Sequence, residues 1–268
     1  MFNMLRMDLR RLFKTRSFHI ILGVTAGLIL MVALLTAVVS DPETLDDMSA
    51  RGAEIDEIDR RMSEEIRNMT QLDLAYETLG SGFLLIITGI GVTLFVSGDF
   101  TSGFVKNICC VKPRRADYVL SKALAAGVYS GIITLLGTLM ILLAPYLYGM
   151  RPVPNTIPDI LRYTFWMWLP HWAFALMALA LVLLTRSTTL GIILSLVAGG
   201  GLTALMVGTL GKLLHWPPLD PYFLSSVVKG VYAPRSGVTQ TGVILACTLA
   251  WAAVYGMGSL LAMEKRDI

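Results

Sequence analysis

Charge is scarce in this sequence and missing from its long apolar stretches: only 15% of residues are Asp, Glu, Lys or Arg. Ion-coupled carriers and voltage sensors keep ionisable groups at depth in the bilayer, at a cost of about 2.5–3.5 kcal/mol each on insertion scales. A chain whose apolar runs hold none draws its energy from elsewhere. No G-x-x-x-x-G-K-[ST] phosphate cradle occurs, so the chain is not itself the usual NTPase. Intramembrane proteolysis would need a Ser/His pair, an Asp pair or a His-Glu zinc motif within the apolar runs, and none is present. Cysteine is equally sparse. Cys109, Cys110 and Cys247 form neither a metal-ligand spacing nor an even disulfide set, and they read as reduced thiols. His171 and His215 stand beside Trp172 and Trp216 with no cluster of further ligands, as structural histidines do. No basic stripe alternates with aromatics, which removes nucleic acid as a partner and assigns the net charge of +3 to topology instead.

Apolar residues make up what remains, 55% of the chain with a mean hydropathy of +0.66. That places it in a bilayer. Six runs are long enough to cross a hydrocarbon core of about 30 Å: 18–39, 79–97, 123–148, 165–184, 189–210 and 238–262. The expected fold is therefore an all-α membrane protein of six transmembrane helices in one domain, 1–268. Cations precede the first run as in a signal peptide, but that run exceeds the usual apolar core of one, and we read an uncleaved first span.

Ahead of it, Phe2, Leu5, Leu9, Leu12 and Phe13 recur at helical spacing, with Arg6, Arg10, Arg11 and Lys14 opposite them. This predicts an interfacial helix over 1–17 with its cations on anionic headgroups. With the N-terminus cytosolic, five cations precede the first span and five more lie at 98–122, joined by Arg186, Lys265 and Arg266; the other nine of the 22 fall outside. Both termini are expected in the cytosol of a cell membrane, as in a multi-pass bacterial plasma-membrane protein.

The segment 40–78 is expected outside as an acidic amphipathic helix. Ile55, Ile58, Met62, Ile66, Met69, Leu72 and Tyr76 step by three or four, and Asp56/Arg60, Glu57/Arg61 and Arg60/Glu64 are four apart. Its acidic face is solvated, or its stripe meets another subunit or a cationic cargo. Pro152, Pro154 and Pro158 make a stiff connector of 149–164, followed by an aromatic belt of Trp166, Trp168 and Trp172 at the outer interface. Thr185-Arg186-Ser187-Thr188 suits a tight hairpin turn, and 211–237 a re-entrant or interfacial segment. Small-residue pairs Gly23/Gly27, Gly127/Gly131 and Ala204/Gly208 have helix-contact spacing, and Gly199-Gly200-Gly201 is placed to soften the fifth span.

Turn-forming Gly and Pro bound the loop at 98–122, and within it lies a short stretch suited to a helix on the membrane surface. Leu94-Phe95-Val96-Ser97-Gly98-Asp99-Phe100, Gly103-Phe104-Val105-Lys106-Asn107, Pro113-Arg114-Arg115 and Tyr118-Val119-Leu120-Ser121-Lys122 together resemble the ABC-2 type transporter permeases, with Asp99 where that family more often has Glu and Phe104 where it more often has Thr. The resemblance implies a coupling loop carrying Asp99, Gly103, Lys106, Arg114, Arg115 and Lys122. It also implies a separate cytosolic ABC ATPase that binds ATP and Mg, a second permease subunit, and no cofactor on this chain. On that footing the chain is a transport subunit and not an enzyme, exporting antimicrobial or toxin-like peptides or lipophilic compounds. A non-transporting assembly or anchoring protein and an energy-independent channel are the other two classes the residues allow.

Overall fold

The computed structural model describes residues 2–52, 54–105, 115–231 and 239–265. They are helical throughout, apart from turns and one isolated bridge between Thr70 and Val153. An N-terminal helix, α1 (Phe2–Lys14), meets α2 (Arg16–Ser40) at Thr15, whose extended backbone (ψ 128°) makes the corner. At the far end of α2 come α3 (Pro42–Ala50), α4 (Glu57–Arg67) and α5 (Gln71–Leu79). The body is α6 (Phe83–Thr101), α7 (Arg115–Leu147), α8 (Ile157–Thr185), α9 (Thr188–Gly199), α10 (Leu202–Leu214), the short α11 (Leu224–Gly230) and α12 (Thr239–Lys265).

Five of these, α2, α6, α7, α8 and α12, are long and apolar enough to cross a membrane; α9 and α10 reach that length only as a pair bent by 58°, the geometry of a broken span or of a re-entrant loop. The sequence reading had the bend only as a softened span over 189–210. The structure breaks it outright at Gly200-Gly201, where Gly201 takes φ +81°, a left-handed conformation that other L residues enter at about 1–2 kcal/mol.

Around α8 the bundle is organised. Its sequence from Ala173 to Leu183 is apolar on every side, as a helix enclosed by others must be, and most of its apolar stretch is buried, whereas most of that of α2 and of α12 is exposed. It packs against α6, α7, α9, α11 and α12. Apolar burial gives little drive for association between helices within lipid, so close packing and interhelical hydrogen bonds carry the contact. Trp168 and Trp172 supply both. Their indoles stack 5.4 Å apart, and their Nε1–H groups donate to the carbonyls of Gly127 and Ala123 on α7 at 3.0 Å each. Gly127 leaves the room for this, since a Cβ there would stand 2.6 Å from Trp172. An outer aromatic belt was expected of these two residues. They pack against the first half of α7, where the groove beside Gly127 and Gly131 takes their rings and two helix carbonyls accept a further bond from each indole N–H.

Further boundaries move. α8 begins at Ile157 rather than Phe165, with Thr156 as its cap and Pro158 in its first turn, where a missing N–H costs nothing. α6 begins after a left-handed Gly82, and Leu79 closes α5. The single acidic helix expected over 40–78 is three helices. Two capping boxes, Asp56 with Asp59 and Thr70 with Asp73, start new helices within the expected stripe. The stripe divides accordingly: Ile58 and Met62 are exposed, while Leu72, Leu74, Ala75 and Leu79 are buried. Arg60 pairs with Asp46 at 2.9 Å rather than with its neighbours four residues away, whereas Glu57/Arg61 does form, at 3.5 Å. Gly23 and Gly27 face open space and Gly208 faces Asp220, so of the three small pairs only Gly127/Gly131 seats another spanning helix. Thr185–Thr188 is the tight turn expected, with Arg186 in the left-handed region and the Ser187 side chain accepting from the Leu190 N–H. In the segment 211–237, α11 buries Leu224, Val227 and Val228 and packs against α8 and α12.

Candidate functional site

Where α1 meets the ends of α6 and α7, four charged side chains are drawn together. α1 buries Met4, Asp8 and Leu12, spaced by four along one face. The apolar stripe read from sequence set Phe2, Leu5, Leu9, Leu12 and Phe13 opposite the cations of an interfacial helix; of these Leu12 is buried against the bundle, while Phe2 and Phe13 stay exposed at 79% and 44%. The face packed on the bundle lies about a quarter turn from that stripe, because Asp8 finds its cationic partner inside the protein. Arg6, Arg10 and Lys14 remain exposed, and Arg11 is turned inward.

α7 presents Tyr118, Ser121 and Lys122 at i, i+3 and i+4, which share a helix face; α6 presents Phe95 and Asp99 in the same way. Lys122 is fully buried and its Nζ lies 2.7 Å from Asp8 Oδ1 and 2.7 Å from Asp99 Oδ2. Ser121 donates to Asp8 Oδ2 at 2.6 Å and the Tyr118 hydroxyl to Asp99 Oδ2 at 3.0 Å. Arg11 Nη2 stands 2.8 Å from Asp99 Oδ1, close enough to pair but off the line of a hydrogen bond, and Arg11 Nη1 is buried without a bonded partner. Aromatic faces complete the enclosure: Phe104 lies 4.1 Å from the Arg11 guanidinium, and Phe95 4.2 Å from the Lys122 ammonium.

Two carboxylates thus face two cations, so the cluster is neutral as a whole. Its members come from three helices and are held by bonds that no single helix could supply. Taking one partner out of such a buried group leaves an uncompensated charge and costs about 3–5 kcal/mol. Beside it, Arg115 Nη1 donates to the Met263 carbonyl at 2.8 Å and fastens the start of α7 to the last turns of α12.

The residues expected in the loop at 98–122 separate into three groups. Asp99 and Lys122 lie in continuous helices, not in a connector, and neither has surface to present. Gly103 is in a left-handed turn just after α6, and Arg115 is half-buried on the α12 carbonyl. Lys106 and Arg114 lie outside the described residues, as do Cys109 and Cys110. Asp8, Arg11, Tyr118 and Ser121 join the site without having been assigned to it from sequence, Arg11 having been read only as a headgroup contact. Asp8 did carry a signal, as the one carboxylate among the five cations of residues 6–16.

Among the described residues no group of three or more His, Cys, Asp or Glu is placed to hold a metal ion. His171, expected near the outer interface, is fully buried in α8 with Nδ1 on the Met167 carbonyl. No protein-family model matches the chain, and no curated protein matches it either.

Proposed function

We propose that this chain is the membrane subunit of an ATP-driven exporter, working as a pair of such subunits with a separate cytosolic ATPase that holds ATP and Mg. The observation that carries the proposal is the buried cluster Asp8–Lys122–Asp99–Arg11, which binds α1 to both helices flanking residues 102–114. A push delivered to that connector is transmitted to α1, α6 and α7 together, because separating them would expose unpaired charges. Displacement of packed, bistable elements is how small movements at one end become rearrangements of a whole bundle. Asp99 and Lys122 would then act within the membrane subunit as a rigid joint, with contact to the motor left to the connector's own cations, Lys106, Lys112 and Arg114. The similarity of residues 94–122 to ABC-2 permeases, the helix ahead of the first span, and the small piece α11 packed before the last span support the same assignment. Export of peptides or lipophilic compounds is the cargo class we attach to it, with both termini in the cytosol.

The test is affinity purification of the tagged full-length chain from the membranes of its own host. A cytosolic ATPase is expected to co-purify, and Lys112→Glu/Arg114→Glu is expected to lose it while inserting normally. Equal recovery of the ATPase with the variant, or none with the wild type, would remove the proposal.

A further inference from the structure

The opposite end of the molecule holds a cavity of about 580 Å³ between the last turns of α2, the start of α3, the end of α4 and the connection after α7. Its volume is in the range of sites that take small ligands. Arg67 and Arg151 line it, and neither forms a salt bridge among the described residues. That sets them apart from their neighbours, because Arg51, Arg60 and Arg61 each pair with a carboxylate at 3.5 Å or less. One carboxylate, Asp41, shares the lining, with the Thr44 hydroxyl donating to it at 2.6 Å. That bond, with a smaller contribution from the charge of Arg67, holds Asp41 below its ordinary value of 3.8, and as a carboxylate it is ionised at neutral pH with or without that shift. Two guanidinium groups against one carboxylate leave the cavity positive.

Its remaining wall is apolar, with Leu34, Val38 and Met150 among the lining residues. Leu34 and Val38 are also exposed, at 43% and 38%, and belong to a helix that presents Met31, Leu35 and most of its other apolar side chains outward. The cavity is therefore continuous with the surface of α2 that faces lipid. A soluble anion would use the arginines and waste the wall; a neutral lipophile would do the reverse.

We propose that this cavity binds the headgroup of an anionic phospholipid, its phosphodiester held by Arg67 and Arg151 and its acyl chains lying along the outward face of α2. Guanidinium groups suit the task because their planar forks match phosphate oxygens two at a time. A zwitterionic headgroup brings its own cation into a positive site and binds less well. The inference stands independently of the proposed transport function.

Native mass spectrometry of the full-length chain in neutral detergent, titrated with phosphatidylglycerol, phosphatidylcholine and inorganic phosphate, tests it. Phosphatidylglycerol is expected to be retained at least tenfold more tightly than phosphatidylcholine, two nearby cations at roughly a factor of five each setting a ceiling of about 25-fold. Arg67→Ala/Arg151→Ala is expected to lose at least that tenfold preference, while Arg51→Ala/Arg61→Ala, on the same end but outside the cavity, keeps it. Equal retention by the first variant, equal loss in the second, or displacement of the lipid by equimolar inorganic phosphate would each overturn the proposal, the last by identifying a soluble-anion site. Melting in the same detergent checks the fold. If the double variant unfolds, Arg151→Ala alone is read against the same outcomes.

Discussion

Lys122 is a cation with no access to water or lipid, and its position is tolerable only because Asp8 and Asp99 are both within 2.7 Å. Its removal has consequences that pair counting alone would understate. In Lys122→Met two buried carboxylates face the single guanidinium of Arg11, and the expected loss is about 3–5 kcal/mol of stability. Adding Asp8→Asn returns the cluster to one carboxylate and one cation, so the double variant should be more stable than Lys122→Met alone. Thermal unfolding in detergent reads this sign directly; a Lys122→Met protein that melts with the wild type would show that the ammonium is not held as described. Sequence reasoning reached Asp99 and Lys122 but not their partner. Residues 8 and 122 are 114 positions apart, and nothing in local periodicity joins them. Hydropathy also stops at the first charge, so both residues were assigned to a loop when the helices run on through them.

Among elements, the broken pair α9–α10 departs most from a plain transmembrane helix. α9 lies close along α6, where Gly199 would meet the Ile86 backbone at 3.0 Å if it carried a Cβ. α10 turns away by 58° and buries only Ala204 and Gly211. The turn depends on the left-handed backbone of Gly201, so Gly201→Ala should cost about 1–2 kcal/mol, while Gly211→Ala, with open space around it, should be neutral or slightly stabilising through helix propensity. Melting temperatures of the two variants side by side decide the point, and equal values would mean the break is soft. The glycine triplet was visible in the sequence; that it breaks the helix rather than loosening it was not, because glycine also permits close packing and only φ distinguishes the uses. The same limit applied to 40–78. Its caps at Asp56 and Thr70 were written in the sequence, but a continuous apolar period concealed them, and in α4 that period faces solvent.

For the molecule as a whole, five of the six expected apolar helices, and a bent pair in place of the other, were legible because lipid leaves the backbone few alternatives to a helix. The interior was less so, since the tryptophan N–H bonds and the charge cluster that fix how the apolar faces meet join residues far apart in the chain. α7 shows how such a cluster is accommodated. Its 33 residues make a helix of about 50 Å, longer than a hydrocarbon core of about 30 Å. Lys122, about 10 Å from its start, therefore stands near the membrane edge, where α1 can cover it. This predicts an asymmetry between deleting the helix and deleting the lysine. Loss of residues 2–14 removes Asp8 and Arg11 together, one carboxylate and one cation, and leaves Lys122 paired with Asp99. The shortened protein should insert and stay monodisperse in detergent, more robustly than Lys122→Met. On the proposed function it should nonetheless stimulate the co-purified ATPase less than the intact chain does, because Asp99 and Lys122 still join α6 to α7 but α1 no longer moves with them. Stimulation equal to that of the intact chain, measured after reconstitution in liposomes, would leave α1 a structural cover and take away the role assigned to the charge cluster in coupling.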